Sequence, residues 1–364
     1  MGSGQTALEK KAHIADIGEM MQPDALPQAP PYGPAIHLPA LPAGWHALHY
    51  RVLANGELAV VIADVDFAAE WERIRSANGL VYPPSRILEM ADAGTARLLL
   101  CADGEWEEGP SFPLEFAYPK VDRFADGRWL VVGSRTNKKS NARVIASDGT
   151  ILARFMLGDG IEHVSVDGAG NIWVGWFDEG IYGNSDWHVP GEEWPPSSRG
   201  IGCFDDGGVI LPLAAFPSAA GMIADCYALT AVDDGAWACP YTDFPLMRLR
   251  LNRPALWWAN DLAGPKALAV DGRRVLAAGG YGDKANRLAL LLLEDVEQGG
   301  SAHQLAEWAL PLSRLAAPAN DWSPMWIHPT LLTASYDTIH LINDGVWHRW
   351  RVGELAELAG DPQG

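Results

Sequence analysis

Two interleaved series of turn dipeptides run along the chain and restrict its fold more than any other feature. The first holds Asn55-Gly56, Asp126-Gly127, Asp167-Gly168, Asp234-Gly235 and Asp271-Gly272. The second holds Asp103-Gly104, Asp148-Gly149, Asp206-Gly207, Gly299-Gly300 and Asp344-Gly345, with Asn252 to Pro254 filling the missing place. Such pairs supply the positive φ that two-residue hairpins require. Members of the first series lead into short apolar runs such as "RWLVVGSR", "NIWVGWFDE", "AWACPYTD" and "RVLAAGGYGD". The order strand, turn, strand, loop, strand, turn, strand therefore recurs.

Aligned on the second strand, Trp129, Trp173 and Trp237 coincide with Leu276 and, more weakly, with Leu331 and Ala59. Six units result, at approximately 46–112, 116–157, 161–214, 223–258, 264–310 and 318–352. This pattern predicts an all-β protein, a six-bladed β-propeller of four-stranded antiparallel blades, in which each sheet buries its faces against its neighbours. A two-sheet sandwich does not explain the paired turn series. The 38 Gly, 26 Pro and 16 Trp among 364 residues agree with a turn-rich β architecture.

Three regions follow: an N-terminal arm over 1–44, the propeller over 45–352 and a C-terminal tail over 353–364. The arm reads as a short helix at 5–21 followed by the Pro-rich "PDALPQAPPYGPAIHLPALPAGW". The last unit reads as ending on its own fourth strand, "VWHRWRV", so closure by strand exchange is not expected. The arm around Ile36 to Leu41 is placed to clasp the join.

With the repeats identified, "DGAGNIWVGWFDEG" resembles the D-x-x-G-N-I-W-[VI]-G unit of bacterial two-component-regulator-type and streptogramin-lyase-like propellers. "WVGWFDEGIYGN", "DCYALTAVDDGAWACPYTDFPL" and "ALAVDGRRVLAAGGYG" together resemble uncharacterised bacterial six-bladed propeller proteins over about 116–352. The resemblance implies the fold and no particular reaction. A gluconolactonase-like enzyme would hold a central divalent metal through a Glu, an Asn and an Asp, and no matching motif places that set here. No histidine matches the catalytic one of streptogramin lyases.

The 27 basic and 46 acidic residues give a formal charge of −19, which repels phosphate backbones and anionic bilayers. Neither nucleic acid nor membrane is expected as a partner. No apolar run is long enough to span a bilayer, and the first residues lack the apolar core of a secretory signal. A cytoplasmic monomer is expected. Cys101, Cys203, Cys226 and Cys239 stand singly in apolar runs without metal-ligand spacing and read as buried thiols.

The tail of the second strand carries an aromatic and acidic pair in several units: Phe177-Asp178-Glu179, Tyr241-Thr242-Asp243, Tyr281-Gly282-Asp283 and Tyr336-Asp337. Arg135 takes that place in the second unit, and Asp64 or Asp66 lies close to it in the first. Loops leaving second strands share one face of a propeller, so Arg135, Asp178, Glu179, Tyr241, Asp243, Tyr281, Asp283 and Asp337 are expected around one mouth of the channel. Such a rim suits a cation, a polyol or a basic peptide. Its bland rival is that each acid accepts strand-end N–H groups while the aromatics pack between blades.

Two long loops enlarge that face. Residues 63–86 include a short amphipathic helix, and 177–200 offer Trp187, His188 and Trp194 as interface anchors or as pins onto the wall.

"GSRTNKKS" at 133–140 lacks the second glycine and the following helix of a phosphate loop, and reads as a basic loop facing the acids. There is no H-E-x-x-H motif and no G-x-S-x-G elbow. Asp225-Cys226 enters the fourth unit near the mouth. No cofactor or metal site is identified. The expected function is a binding or interaction module for a peptide, protein or small polar ligand. The alternative is a hydrolase, lactonase or lyase whose divalent cation is held by some of the same carboxylates.

Overall fold

A computed structural model describes residues 26–76, 85–136, 140–217, 221–295, 299–312 and 330–361. The expected helix at 5–21, the basic stretch 137–139 and the start of the sixth unit lie outside them. The protein is all-β, with 45% strand and 12% helix, in a propeller-like arrangement of antiparallel sheets.

Strand β1 (Ile36–His37) belongs to the arm. Strands β2 (His46–Val52), β3 (Leu58–Ala63), β4 (Thr95–Cys101) and β5 (Glu107–Pro113) form the first sheet, with helices α1 (Phe67–Ser76) and α2 (Ser85–Ala93) inserted between β3 and β4. Strands β6 (Pro119–Arg123), β7 (Trp129–Gly133), β8 (Ala142–Ile145) and β9 (Ile151–Phe155) form the second. The third has β10 (Ile161–Val166), β11 (Ile172–Trp176) and β12 (Ile201–Phe204), with α3 (Asp178–Gly183) after β11. Its fourth strand is reduced to one bridge, Phe204 to Ile210, because Pro212 and Pro217 interrupt the returning chain and donate no N–H.

Next come β13 (Asp225–Val232), β14 (Gly235–Tyr241), β15 (Leu246–Leu249) and β16 (Leu256–Ala259), then β17 (Ala267–Asp271), β18 (Arg274–Ala278), β19 (Arg287–Leu293) and β20 (Gly299–Ala309). These two meanders fuse into one eight-stranded sheet through parallel pairing of β16 with β20, Trp257 opposite Gly299. A side chain at Gly299 would strike the Trp257 ring, so only glycine permits this seam. The seam also pairs two outer edges that would otherwise be open.

The last sheet contains β21 (Thr330–Ser335), β22 (Thr338–Asn343), β23 (Val346–Arg351) and the arm strand in the order β1-β23-β22-β21. "VWHRWRV" is thus a third strand, not a fourth. The fourth comes from the N-terminal arm, whose Ile36 faces Trp347. Leu331 likewise lies in a first strand, and the second strand of that unit carries Ile339 to Ile342. The sequence frame slipped because the first hairpin of this unit turns through Tyr336 at φ 47° without a glycine.

First strands lie side by side, β2 against β6, then β10, β13, β17 and β21, and β21 returns to β2. Second strands are sandwiched between neighbouring sheets, which is why "LAVVIA", "WLVVG" and "IWVGW" are buried throughout. The repeated Asp-Gly turn has a visible chemistry in "DGAGNIW". Asp167 accepts the backbone N–H groups of Ala169 and Asn171 at 3.0 and 2.8 Å and the Trp173 indole N–H at 2.9 Å.

The arm continues past β1. The Ala29 N–H donates to the Ala309 carbonyl at 2.9 Å and the Ala309 N–H to the Pro27 carbonyl at 2.8 Å, a short parallel bridge, and the Trp350 indole donates to the Ala29 carbonyl at 3.2 Å. Beyond β1, the Trp106 indole of the first unit donates to the Pro39 carbonyl at 3.0 Å. The arm therefore bridges the last two units and the first. The tail expected at 353–364 begins as helix α4 (Val352–Leu358), which buries Leu355 and Ala356 in the core between the last two units.

All four cysteines are buried free thiols. In β13 and β14, Cys226 faces Pro240 and Cys239 faces Ala228, and the two side chains pack into different cores, Cys226 beside Gly175 and Cys239 beside Phe244. No helix among the described residues is long and apolar enough to cross a membrane.

Candidate functional site

One end of the molecule carries the first-strand starts and second-strand ends; the hairpins between first and second strands close the other. Arg135, Asp178, Glu179, Tyr241, Asp243, Tyr281 and Asp283 all lie at the first end. Asp337 does not. It sits in the hairpin between β21 and β22 at the opposite end, where its carboxylate faces Arg351 at 3.4 Å. Neighbouring Tyr336 donates to Asp233 at 2.8 Å, in the hairpin between β13 and β14. The frame slip in the last unit explains this misplacement.

The remaining residues fall into two groups and three separate acids. Arg135 bridges Glu179 at 2.6 Å and Asp159 at 3.4 Å, with its guanidinium 5.3 Å from the Phe177 ring centre. Tyr241 and Tyr281 meet around Tyr227 at centroid distances of 6.1 and 5.8 Å, with Phe244 completing the cluster. Asp243 and Asp283 are exposed and make no hydrogen bond or ion pair among the described residues. Asp178, the first residue of α3, accepts the Glu179 N–H at 2.7 Å.

Between these groups is a depression of about 280 Å³ lined by Glu162, Phe177, Asp178, Asp225 and Lys266. Two carboxylates of the third unit and one of the fourth therefore face one space, with Lys266 as the one ammonium there among the described residues. Burial, Glu162 and Asp178 together push the Asp225 carboxyl up to about 6, against the opposing pull of Lys266. Lys266 holds its ammonium 4.0 Å from the Tyr227 ring centre, a cation–π contact that joins the acidic depression to the aromatic cluster.

Bulges aim two of these side chains. Ile161 and His163 face consecutive residues of β11, which leaves Glu162 as the extra residue; Tyr227 is the extra residue between Cys226 and Ala228. A bulge interrupts the alternation of faces and redirects a side chain, here towards the mouth. Sequence reasoning missed Glu162, Tyr227 and Lys266, and named Asp225 only beside Cys226. The available signal was a polar residue at the start of an otherwise apolar first strand, as in "IEHV", "DCYAL" and "PKALAV".

The long loop after β11 divides its aromatics. Trp187 stacks on Phe204 at 6.1 Å and tilts against Trp176 at 6.2 Å, so it pins the loop to the wall. Asn184 ties the same loop down, accepting the Asp159 N–H at 2.8 Å and donating to the Asp159 and Gly180 carbonyls at 2.9 and 2.7 Å. His188 is exposed, and Trp194 keeps 68% of its surface open.

Deeper in the channel, Arg51 donates to Asp122 at 2.8 Å and to Ser165 at 2.6 Å, linking three adjacent first strands. Among the described residues no group of three His, Cys, Asp or Glu side chains converges as a metal site would require. A second depression, of about 330 Å³, opens at the hairpin end beside Asp167, Trp173 and Arg250, but there Asp167 is already committed to its turn and to Trp173.

No protein-family model matches the chain, and no curated protein does. Solved structures similar to it include a Bacteroides uniformis protein provisionally assigned as a 6-phosphogluconolactonase, at 13% identity over 84% of this chain and 82% of that one, with a TM-score of 0.41. The gluconolactonase XC5397 of Xanthomonas campestris is 11% identical over 88% of this chain and 99% of that one, with a TM-score of 0.33. The extracellular domain of BT4673 from B. thetaiotaomicron, provisionally assigned to a hybrid two-component system, is 8% identical over 84% of this chain, with a TM-score of 0.41. This chain spans 34% of that domain's length. At such identities the likeness is one of overall fold, and the propeller-like assignment rests on the sheets themselves.

Proposed function

We propose that the protein is a six-bladed propeller acting as a binding module, which takes a small cationic polar group, ammonium or guanidinium, at the mouth formed by Glu162, Asp178 and Asp225. The closed succession of six first strands supports the blade count. One observation carries the functional reading: three carboxylates, two from the third unit and one from the fourth, line one depression beside Phe177, with Lys266 as the only cation on its wall among the described residues. Like charges so placed repel, and a bound cation relieves that repulsion. The flanking rings of Phe177, Tyr227, Tyr241 and Tyr281 supply faces that attract a cation, and side chains that exclude water from it.

The test is calorimetric titration with simple alkylamines and alkylguanidines against the protein and an Asp178→Asn/Asp225→Asn variant. The variant is expected to stay folded and to bind at least about tenfold more weakly, or about 1.4 kcal/mol. Unchanged affinity in a folded variant sinks the proposal. Turnover of a lactone that depends on an added divalent metal would replace it with the enzymatic alternative.

A further inference from the structure

Three adjacent first strands carry matched polar residues in two tiers. The lower tier is Arg51, Asp122 and Ser165, with Arg51 donating to both of the others. Two positions earlier on the same strands stand His49, Lys120 and His163. Residues two apart on a strand share a face about 6.6 Å apart. Pairing is regular across all three steps, His49 to Arg51, Lys120 to Asp122 and His163 to Ser165, and the bulges in β2 and β10 lie above them. His49, Lys120 and His163 therefore form an upper tier directly beneath the mouth.

The two tiers differ in how their polar groups are met. In the lower tier the Asp122 carboxylate neutralises Arg51, whose Nε alone lacks a hydrogen-bond partner among that tier's described side-chain atoms, and also accepts the Val166 N–H at 3.0 Å. In the upper tier Lys120 makes no hydrogen bond or salt bridge among the described residues, and His163 Nε2 is buried without a hydrogen-bond partner. Burial lowers the Lys120 ammonium, partly opposed by Glu162, and lowers the His163 imidazole to about 4. Burial lowers His49 as well, and Lys120 and Arg51 add to the effect. The upper tier thus sets one lysine between two histidines, and the carboxylate that acts on both Lys120 and His163 is Glu162 of the mouth.

A purely anionic ligand would have to pass the carboxylates of the mouth. A ligand carrying charge of each sign meets complementary groups at both levels. Resting on the mouth as a cation site, we infer that the ligand is a small zwitterion, its ammonium held by Glu162, Asp178 and Asp225 and its carboxylate by Lys120, with His49 and His163 as flanking donors. A carboxylate at Lys120 forms a charge-assisted hydrogen bond, which is roughly twice as strong as a neutral one.

Calorimetric titration with β-alanine and γ-aminobutyrate, each beside its alkylamine and its alkanoate counterpart, tests this. At least one amino acid is expected to bind at least about tenfold more tightly than its alkylamine, or about 1.4 kcal/mol. Lys120→Met should bring the two within about twofold, by lowering the affinity for the amino acid. His163→Gln, which keeps the tier's charge, should reduce the preference in part, and serves alone if Lys120→Met does not fold. Equal affinity for amino acid and alkylamine in the unaltered protein overturns the zwitterion and leaves the cation site standing. A preference that survives both substitutions also overturns it. Failure of both ligand types to bind overturns the zwitterion and the cation site together.

Discussion

The guanidinium of Arg51 meets the carboxylate of Asp122 at 2.8 Å inside the channel, and almost all of the Asp122 side chain is hidden from solvent. Such a pair contributes little net stability, because desolvation offsets attraction, yet breaking it strands a charge. Asp122→Ala is therefore expected to destabilise the fold by about 3–5 kcal/mol in urea unfolding. An Arg51→Met/Asp122→Leu double variant should regain most of that loss. If Asp122→Ala alone costs under about 1 kcal/mol, the carboxylate does not hold these first strands together.

Asp225 gives the mouth a pH dependence whose sign is fixed. Its folded carboxyl is raised to about 6, so the folded state holds a proton that the unfolded chain has already released. That contribution to stability is present below about pH 4 and is lost as pH rises through about 6. For a half-buried group, solvent screening leaves roughly 1 kcal/mol of it. Stability of the protein relative to Asp225→Asn should fall by about that amount from pH 4 to pH 7. Over the same interval affinity for alkylamines should rise, since a bound cation favours the ionised carboxylate. A flat difference between the two proteins across this range would remove Asp225 from the account.

Two tryptophans of one loop should behave oppositely. Trp187→Ala removes a ring stacked against Phe204 and Trp176 and is expected to cost about 2–4 kcal/mol. Trp194→Ala should fall within about 0.5 kcal/mol of the unaltered protein, as exposed substitutions usually do. Equal losses in thermal unfolding would contradict the division of this loop into a pinned part and an open part.

Asp167 organises its turn through two backbone N–H groups and the Trp173 indole. Asp167→Ala leaves that buried indole N–H without its acceptor, for an expected loss of about 2–3 kcal/mol. Trp173→Phe should cost less, because it removes the donor together with the bond. The reverse order in denaturant midpoints would show that packing and not the hydrogen bond decides the position.

Second strands were legible because neighbouring sheets cover both their faces, which demands apolar runs such as "WLVVG" and "IWVGW". Turns were legible where glycine supplies the positive φ. The last unit was misread where its first hairpin turns through Tyr336 at φ 47° without a glycine. Asp337 followed that error to the wrong end of the molecule. At the mouth, Arg135, Asp178 and Glu179 could be found because strand ends mark them. Glu162 and Tyr227 could not, since each is the extra residue of a bulge and breaks the two-residue alternation by which strand faces are read.

The arm that completes the last sheet has a consequence for synthesis. Ala29 and the Trp350 indole that binds its carbonyl are 321 positions apart. At roughly 5–20 residues per second on a ribosome, Ala29 is made tens of seconds before its partner. Until then β1 has no sheet to join, and the outer edge reserved for it does not yet exist. Closure thus waits for the last sheet to be made. Any interval in which the arm finds another protein's strand edge would leave the circle of sheets unlatched, so the cell's handling of the nascent arm bears directly on the yield of closed molecules.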